Sequence, residues 1–313
     1  MCVAVKNRSR IEHGGQLLHL FPNSVHALSN AAKSLGPVEL VVADFHSDDW
    51  PLDEWLHSAD QLTVKIVPVS GSFSRGRGLN VAARTASASI LFLTDADILI
   101  DADALQRGIS SVQTGRARFP ICQFLNQTGT PHFWQDLGKG LAFISMSVLD
   151  DCQGVPEFES WGGEDDILFE LVESRCPIDR DRDPGILHQW HPDRLRHAHY
   201  RKGTKADFHT QAAQLRDERR PSILAIFEAT HPAWGDHPSE LILRTSGRFE
   251  RRGGDAGSYE WSEYGELRLK WDRWPTEILR WDAVDQVYRS FSNSFTLRRI
   301  ESTNDVAHEL RSE

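Results

Sequence analysis

Ser89-Ile-Leu-Phe-Leu-Thr-Asp-Ala-Asp97 is the stretch whose reading decides the fold. Its apolar run, Ile90 to Leu93, has the continuous hydrophobicity of a strand buried on both faces, as inside a parallel sheet. The run stops abruptly in two carboxylates one residue apart. Ligands of open α/β sheets gather at the carboxyl ends of the strands, so Asp95 and Asp97 are expected at the working edge. Two hard oxygen ligands suit Mg²⁺ or Mn²⁺. The same two acids also suit a solvated loop, and the flanking sequence has to separate those readings.

Upstream, the short apolar run Cys2 to Val5 ends in Lys6-Asn7-Arg8, which predicts a first strand meeting a basic turn. Residues 12–35 carry spaced apolar positions that predict helix, interrupted near Phe21-Pro22-Asn23 because proline breaks the pattern. Val38 to Ala43 predicts a second strand, again ending in acids at Asp44, Asp48 and Asp49. Leu62 to Val69 predicts a third, followed by Ser70 to Gly78, read as a flexible loop carrying Arg75 and Arg77, and then a helix over Asn80 to Ala88. This alternation predicts an α/β architecture: a mainly parallel, Rossmann-like sheet with helices on both faces.

Downstream, a helix is expected to about Gln113 and a strand over Arg118 to Phe124. Gly138 to Met146 opens an apolar run with glycines, and Trp161-Gly-Gly-Glu-Asp-Asp166 is a glycine loop feeding a helix. Acids in a first helical turn complement its dipole; here they also follow an aromatic and bare backbone. His188 and His191 stand three apart. The basic, apolar-poor stretch from Pro192 to Pro221 reads as loop or linker. From Ser222, period-two alternation with Ser-Gly and Gly-Gly turns predicts a small antiparallel sheet, which holds five of the ten tryptophans. The expected organisation is therefore residues 1–205, a linker over 206–221, and a β domain over 222–313.

A formal charge of −10 opposes binding to nucleic acid or an anionic membrane surface. No run approaches the ~18 apolar residues of a transmembrane segment, and Met1 to Arg8 does not read as a signal peptide. Cys2, Cys122, Cys152 and Cys176 are scattered without C-x-x-C spacing, which predicts thiols in a reducing, cytoplasmic setting.

Taken in order, Val5-Lys-Asn-Arg8, Phe73-Ser-Arg-Gly-Arg-Gly-Leu-Asn-Val81, Asp95-Ala-Asp97, Trp161-Gly-Gly-Glu-Asp-Asp166 and His188 resemble the GT-A-fold glycosyltransferases. The group resembled is that of the β-1,4-galactosyltransferases and bacterial chondroitin-type polymerases. The resemblance covers roughly residues 1–205. It implies a UDP-sugar donor held by Val5, Lys6, Arg8, Phe73 and Arg75, with Asp44 toward the uracil. It implies Asp97 and His188 as ligands of Mn²⁺ (or Mg²⁺), with Asp95 and Ala96 near the ribose and metal-bound water. Glu164 and Asp165 match the acidic pair at the acceptor side, Asp165 as catalytic base, and Trp161 walls the sugar. Gly140, Leu141 and Ala142 resemble a donor-side backbone segment. Vertebrate members carry a methionine ligand three residues before the histidine; here that position is Gly185, which leaves open fewer protein ligands or a contribution from His191. The stretch from His191 to about Lys205 matches a loop that closes over donor in relatives, hinged at His188.

The residues agree with that chemistry. A diphosphate leaving group needs a divalent cation, Arg75 and Arg77 can add phosphate contacts, and a carboxylate must take the acceptor hydroxyl's proton. The expected activity is a metal-dependent, inverting transfer of a hexose or N-acetylhexosamine to a glycan or other hydroxyl-bearing acceptor. A sugar nucleotidyltransferase shares the crevice but places a Gly-rich loop after strand one. A non-catalytic carbohydrate-binding protein would instead rely on the aromatic C-terminal sheet.

Overall fold

A computed structural model describes residues 1–301 except 59–60, 159–161, 196–204, 236, 253 and 293, with the backbone alone for 205–210 and 301. Two compact units result. The first holds Met1–Val172 and Ile178–Arg219, the second Glu173–Pro177 and the chain from Arg220 onward.

The first unit is built on a seven-stranded sheet. Ile90–Thr94, Cys2–Val5, Val38–Asp44 and Leu62–Pro68 lie side by side and parallel, the last of them at one edge. Ala142–Ser145 adds antiparallel to Ile90–Thr94, and the short strands Ala117–Arg118 and Ile178–Asp179 complete the other edge. The first strand shows why both faces are covered. Alternate side chains point to opposite faces, so Val3 and Val5 join Phe21 and Leu28 of the helix Leu20–Leu35, while Ala4 backs onto Gly78 of the helix Arg75–Thr85. A second sheet, ordered Pro131–Trp134, Ile121–Leu125, Arg182–His188 and Ile98–Ile100, continues from the end of the Asp-Ala-Asp strand.

Several local expectations change. Residues 12–18 are not helical: Ile11–His13 and Gln16–Leu18 form a hairpin across Gly14 and Gly15, both at positive φ, as a two-residue turn requires. Pro22 does not interrupt the helix that follows. It occupies the first turn, where the missing N–H has no intrahelical partner to lose. The glycines of 70–78 serve packing more than flexibility. Ser74 caps a helix that begins at Arg75, and a Cβ on Gly76 or Gly78 would come within 1.9 Å of the Pro156 carbonyl oxygen or 2.5 Å of the Ala4 Cβ. The strand expected over 118–124 is split by Phe119-Pro120 into two that join different sheets. Within the expected linker, Lys205–Arg219 is an α-helix; its alanines, glutamines and arginines favour helix even without an apolar face. Arg216 pairs there with Glu170.

The second unit goes beyond a small sheet. Eight antiparallel strands from Ile223–Thr230 to Thr296–Glu301 close into a barrel, the first pairing with the last. Phe227, Leu241, Leu243, Phe249, Leu267 and Leu279 are among the side chains that fill it. Closure removes the exposed edges that an open sheet would leave.

Candidate active site

The strand ends of the first unit surround a cavity of about 370 Å³. Lys6, Arg8, Phe73, Arg75, Asp95, Ala96 and Asp97 line it, together with Gly140, Leu141, Glu164, Asp165, His188 and His191. Thus most of the residues singled out in the sequence meet in one place. Val5 does not line the cavity: it is fully buried in the sheet, and its neighbour Ala4 contributes instead. Asp44 also lies outside the lining, where its carboxylate accepts the Ser47 N–H at 3.0 Å. Ala142 is buried in its strand, Arg77 donates to the Ser72 carbonyl beneath the Phe45 ring, and Trp161 lies outside the described residues.

Asp97 is the buried member of the acidic pair, 6% exposed. One carboxylate oxygen is 3.6 Å from His188 Nε2, the other 3.2 Å from His191 Nε2. Strand pairing brings this about: Arg182–His188 runs antiparallel to Ile98–Ile100 with His188 opposite Ile98, and the Gln189 N–H donates to the Asp97 carbonyl at 2.9 Å. The His188 ring stacks on Phe124, centroids 3.9 Å apart and planes within 4°. His191 Nδ1 faces the Pro192 carbonyl at 3.2 Å; a neutral ring protonated there would offer its Nε2 lone pair to a metal ion, whereas the protonated ring donates from Nε2 to Asp97. Burial would raise the Asp97 pKa, yet His188 and His191 outweigh it and hold the carboxyl well below the usual range. Burial likewise opposes a charged His191, and the hydrogen bond to Asp97 overcomes it, raising that pKa.

These three residues fit a divalent cation. Their ligand atoms lie within 4.8 Å of one another, they mix oxygen and nitrogen as Mn²⁺ accepts, and the buried Asp97 Oδ1 has no hydrogen-bond partner among the described residues. A side chain at 185 cannot join them. A Cβ there would meet the Asp101 carboxylate at 2.3 Å, and that carboxylate caps the helix Ala102–Gln113.

Opposite chemistry gathers at Arg75. Its guanidinium bonds Asp95 Oδ1 at 2.5 Å, donates to the Gly140 carbonyl and lies 3.6 Å from Glu164. So a residue expected to hold phosphate also ties three segments of the cavity wall together. Glu164 opens the helix Glu164–Glu173 and is buried. Burial pushes its pKa up to about 7, with Arg75 opposing and Asp165 reinforcing. Its Oε2 has no hydrogen-bond partner among the described residues. Asp165 is half-buried, and its carboxylate accepts the Asp166 N–H at 3.0 Å.

Sequence reasoning missed Gln189. Buried between the two histidines, its amide donates to the Leu20 carbonyl and accepts from Asn23, while Ser24 donates to the Ala96 carbonyl. This network fixes the Asp-Ala-Asp backbone against the helix Leu20–Leu35. A glutamine flanked by ligand-type histidines was the available signal.

No family model matches the chain. Among curated proteins, the chondroitin sulfate N-acetylgalactosaminyltransferase 2 of Mus musculus is 29% identical over 161 residues, 40% of this chain and 28% of that protein. Chondroitin sulfate synthase 3 of Mus musculus is 28% identical over 153 residues, 41% of this chain and 17% of that protein. Among solved structures, S. aureus TarS 1–349 in complex with UDP-GlcNAc superposes with a TM-score of 0.53 at 16% identity, covering 69% of this chain and 65% of that one. The chain has a GT-A fold and is similar in sequence to the chondroitin-type glycosyltransferases. It spans less than a third of the length of either of those two curated relatives. In this GT-A chain no helix among the described residues is long and apolar enough to cross a membrane.

Proposed function

We propose that the chain is a metal-dependent, inverting glycosyltransferase that moves a hexose or N-acetylhexosamine from a UDP-sugar to the hydroxyl of a glycan or other acceptor. The observation that carries this reading is that one cavity is lined both by Asp97, His188 and His191 and by Glu164 and Asp165. Asp97, His188 and His191 would hold Mn²⁺ or Mg²⁺, which when bound offsets negative charge on the diphosphate as it leaves. Lys6 and Arg8 supply cationic contacts to the diphosphate, and Phe73 offers a flat apolar face to the uridine. Arg75 keeps Asp95 and Glu164 in register with the nucleotide. The carboxylate of Asp165 accepts the acceptor's hydroxyl proton as that oxygen bonds to the anomeric carbon and the bond to UDP breaks. A single displacement of this kind inverts the anomeric centre.

We assign this chemistry to residues 1–205, with Asp44 toward the uracil and Trp161 walling the sugar on the strength of the resemblance. The cytoplasmic setting read from the scattered cysteines belongs to the same proposal. A panel of UDP-sugars screened for Mn²⁺-dependent UDP release tests it and identifies the donor. Release from none of them, or release equal with and without metal, would sink the reading.

A further inference from the structure

Two tryptophans of the C-terminal barrel stand where its core reaches the surface. Trp261 ends the strand Ala256–Trp261 opposite the fully buried Leu267. Trp281 lies two residues beyond the buried Leu279 and opposite Tyr288. Side chains two apart share a face of the strand, so both indoles continue the inward-facing rows of the barrel. They are nevertheless 45% and 42% exposed. Both meet Tyr288, at centroid separations of 5.3 and 5.0 Å, and Tyr288 meets Phe227 of the core at 6.0 Å. The rings are therefore anchored from below and open above. At the other end of the barrel, Trp234, Trp271 and Phe295 pack on one another instead.

The turns bordering the open end are polar and acidic. Glu263, Glu266, Asp282 and Asp285 lie there, with Arg280 bonded to Glu266 and Arg289 to Asp282 and Asp285. Arg268 pairs with Glu260 and Glu266 at the same edge, so five carboxylates stand against three arginines and leave the rim negative and rich in acceptors. That combination selects a ligand. The C–H face of a pyranose complements the negative face of an aromatic ring, and sugar hydroxyls donate to carboxylates. A phosphate, sulfate, uronate or anionic lipid headgroup meets like charge.

We propose that this end of the barrel binds a neutral oligosaccharide, with sugar rings on Trp261 and Trp281 and hydroxyls on the acidic rim. The site lies within the second unit and does not depend on the chemistry of the first unit's cavity.

Titration calorimetry on the full chain tests this, with cellohexaose, maltohexaose and chitohexaose as neutral probes. A chondroitin hexasaccharide and phosphatidylglycerol vesicles serve as anionic ones. At least one neutral hexasaccharide is expected to bind, with Trp261→Ala and Trp281→Ala each weakening it about tenfold or more. Trp281→Phe keeps a ring and stays within about threefold of the parent, which separates lost stacking from lost folding. Asp97→Ala leaves glycan binding intact, so failure of the transferase reading does not touch this one. The proposal is overturned if no neutral probe binds, if the Trp261/Trp281 double alanine variant binds equally well, or if the anionic probes are preferred. It is also overturned if sedimentation shows a dimer that the double variant abolishes and no glycan binds.

Discussion

Arg75 shows how much one side chain organises in this molecule. It is buried, and its donors are divided among Asp95, Gly140 and Glu164. Beside it, Glu164 titrates near 7 instead of its ordinary 4.5 because burial disfavours its charge. Between those two values the folded chain holds more protons at Glu164 than the unfolded chain does, so this group's contribution to stability falls as pH rises through that window. Glu164→Gln is expected to flatten that part of the profile and to be relatively more stable above it. Parallel melting profiles of variant and parent from pH 4.5 to 7 would remove the buried carboxyl from the account. For Asp165→Asn, transfer should drop by ~10²–10⁴, the usual worth of a general base, with UDP affinity kept; equal loss of UDP binding would reassign the residue. Asp97→Ala should instead abolish metal-dependent UDP binding, checked by calorimetry with and without Mn²⁺.

At the scale of elements, the helix Arg75–Thr85 is placed by its glycines. Gly76 and Gly78 let it lie against Pro156 and Ala4 with no room for a Cβ. Gly78→Ala should therefore cost about 1–3 kcal/mol through overpacking, and by moving Arg75 it should lower transfer as well. Urea denaturation measures the first effect; an unchanged midpoint would show that the helix can retreat freely. The contrast with Pro22 is instructive. A proline that reads as a helix breaker is harmless in a first turn, whereas two glycines that read as flexibility are the tightest contacts of their helix. Local pattern identifies residue types correctly here, but only neighbours distant in sequence decide what those residues do.

At the scale of the whole molecule, there are two cores, one under the mainly parallel sheet and one inside the barrel. Ligand at the first unit should stabilise that unit alone: UDP with Mn²⁺ at a hundred times Kd adds about 2.7 kcal/mol. Hydrogen exchange is expected to show the added protection in residues 1–172 and 178–219 and not in the barrel. Equal protection across both would mean that they unfold as one. The sequence by itself determined the parallel core, because buried strands and their polar ends are written in contiguous residues. It likewise marked Asp95, Asp97, Glu164, Asp165 and His188, which line one cavity. Only the tertiary structure decided that His191 and Gln189 flank Asp97, that Gly185 has no space for a ligand, and that the C-terminal strands close into a barrel. Each of those depends on register between strands far apart in the chain, and register is set by packing and hydrogen bonding that no local stretch of sequence contains.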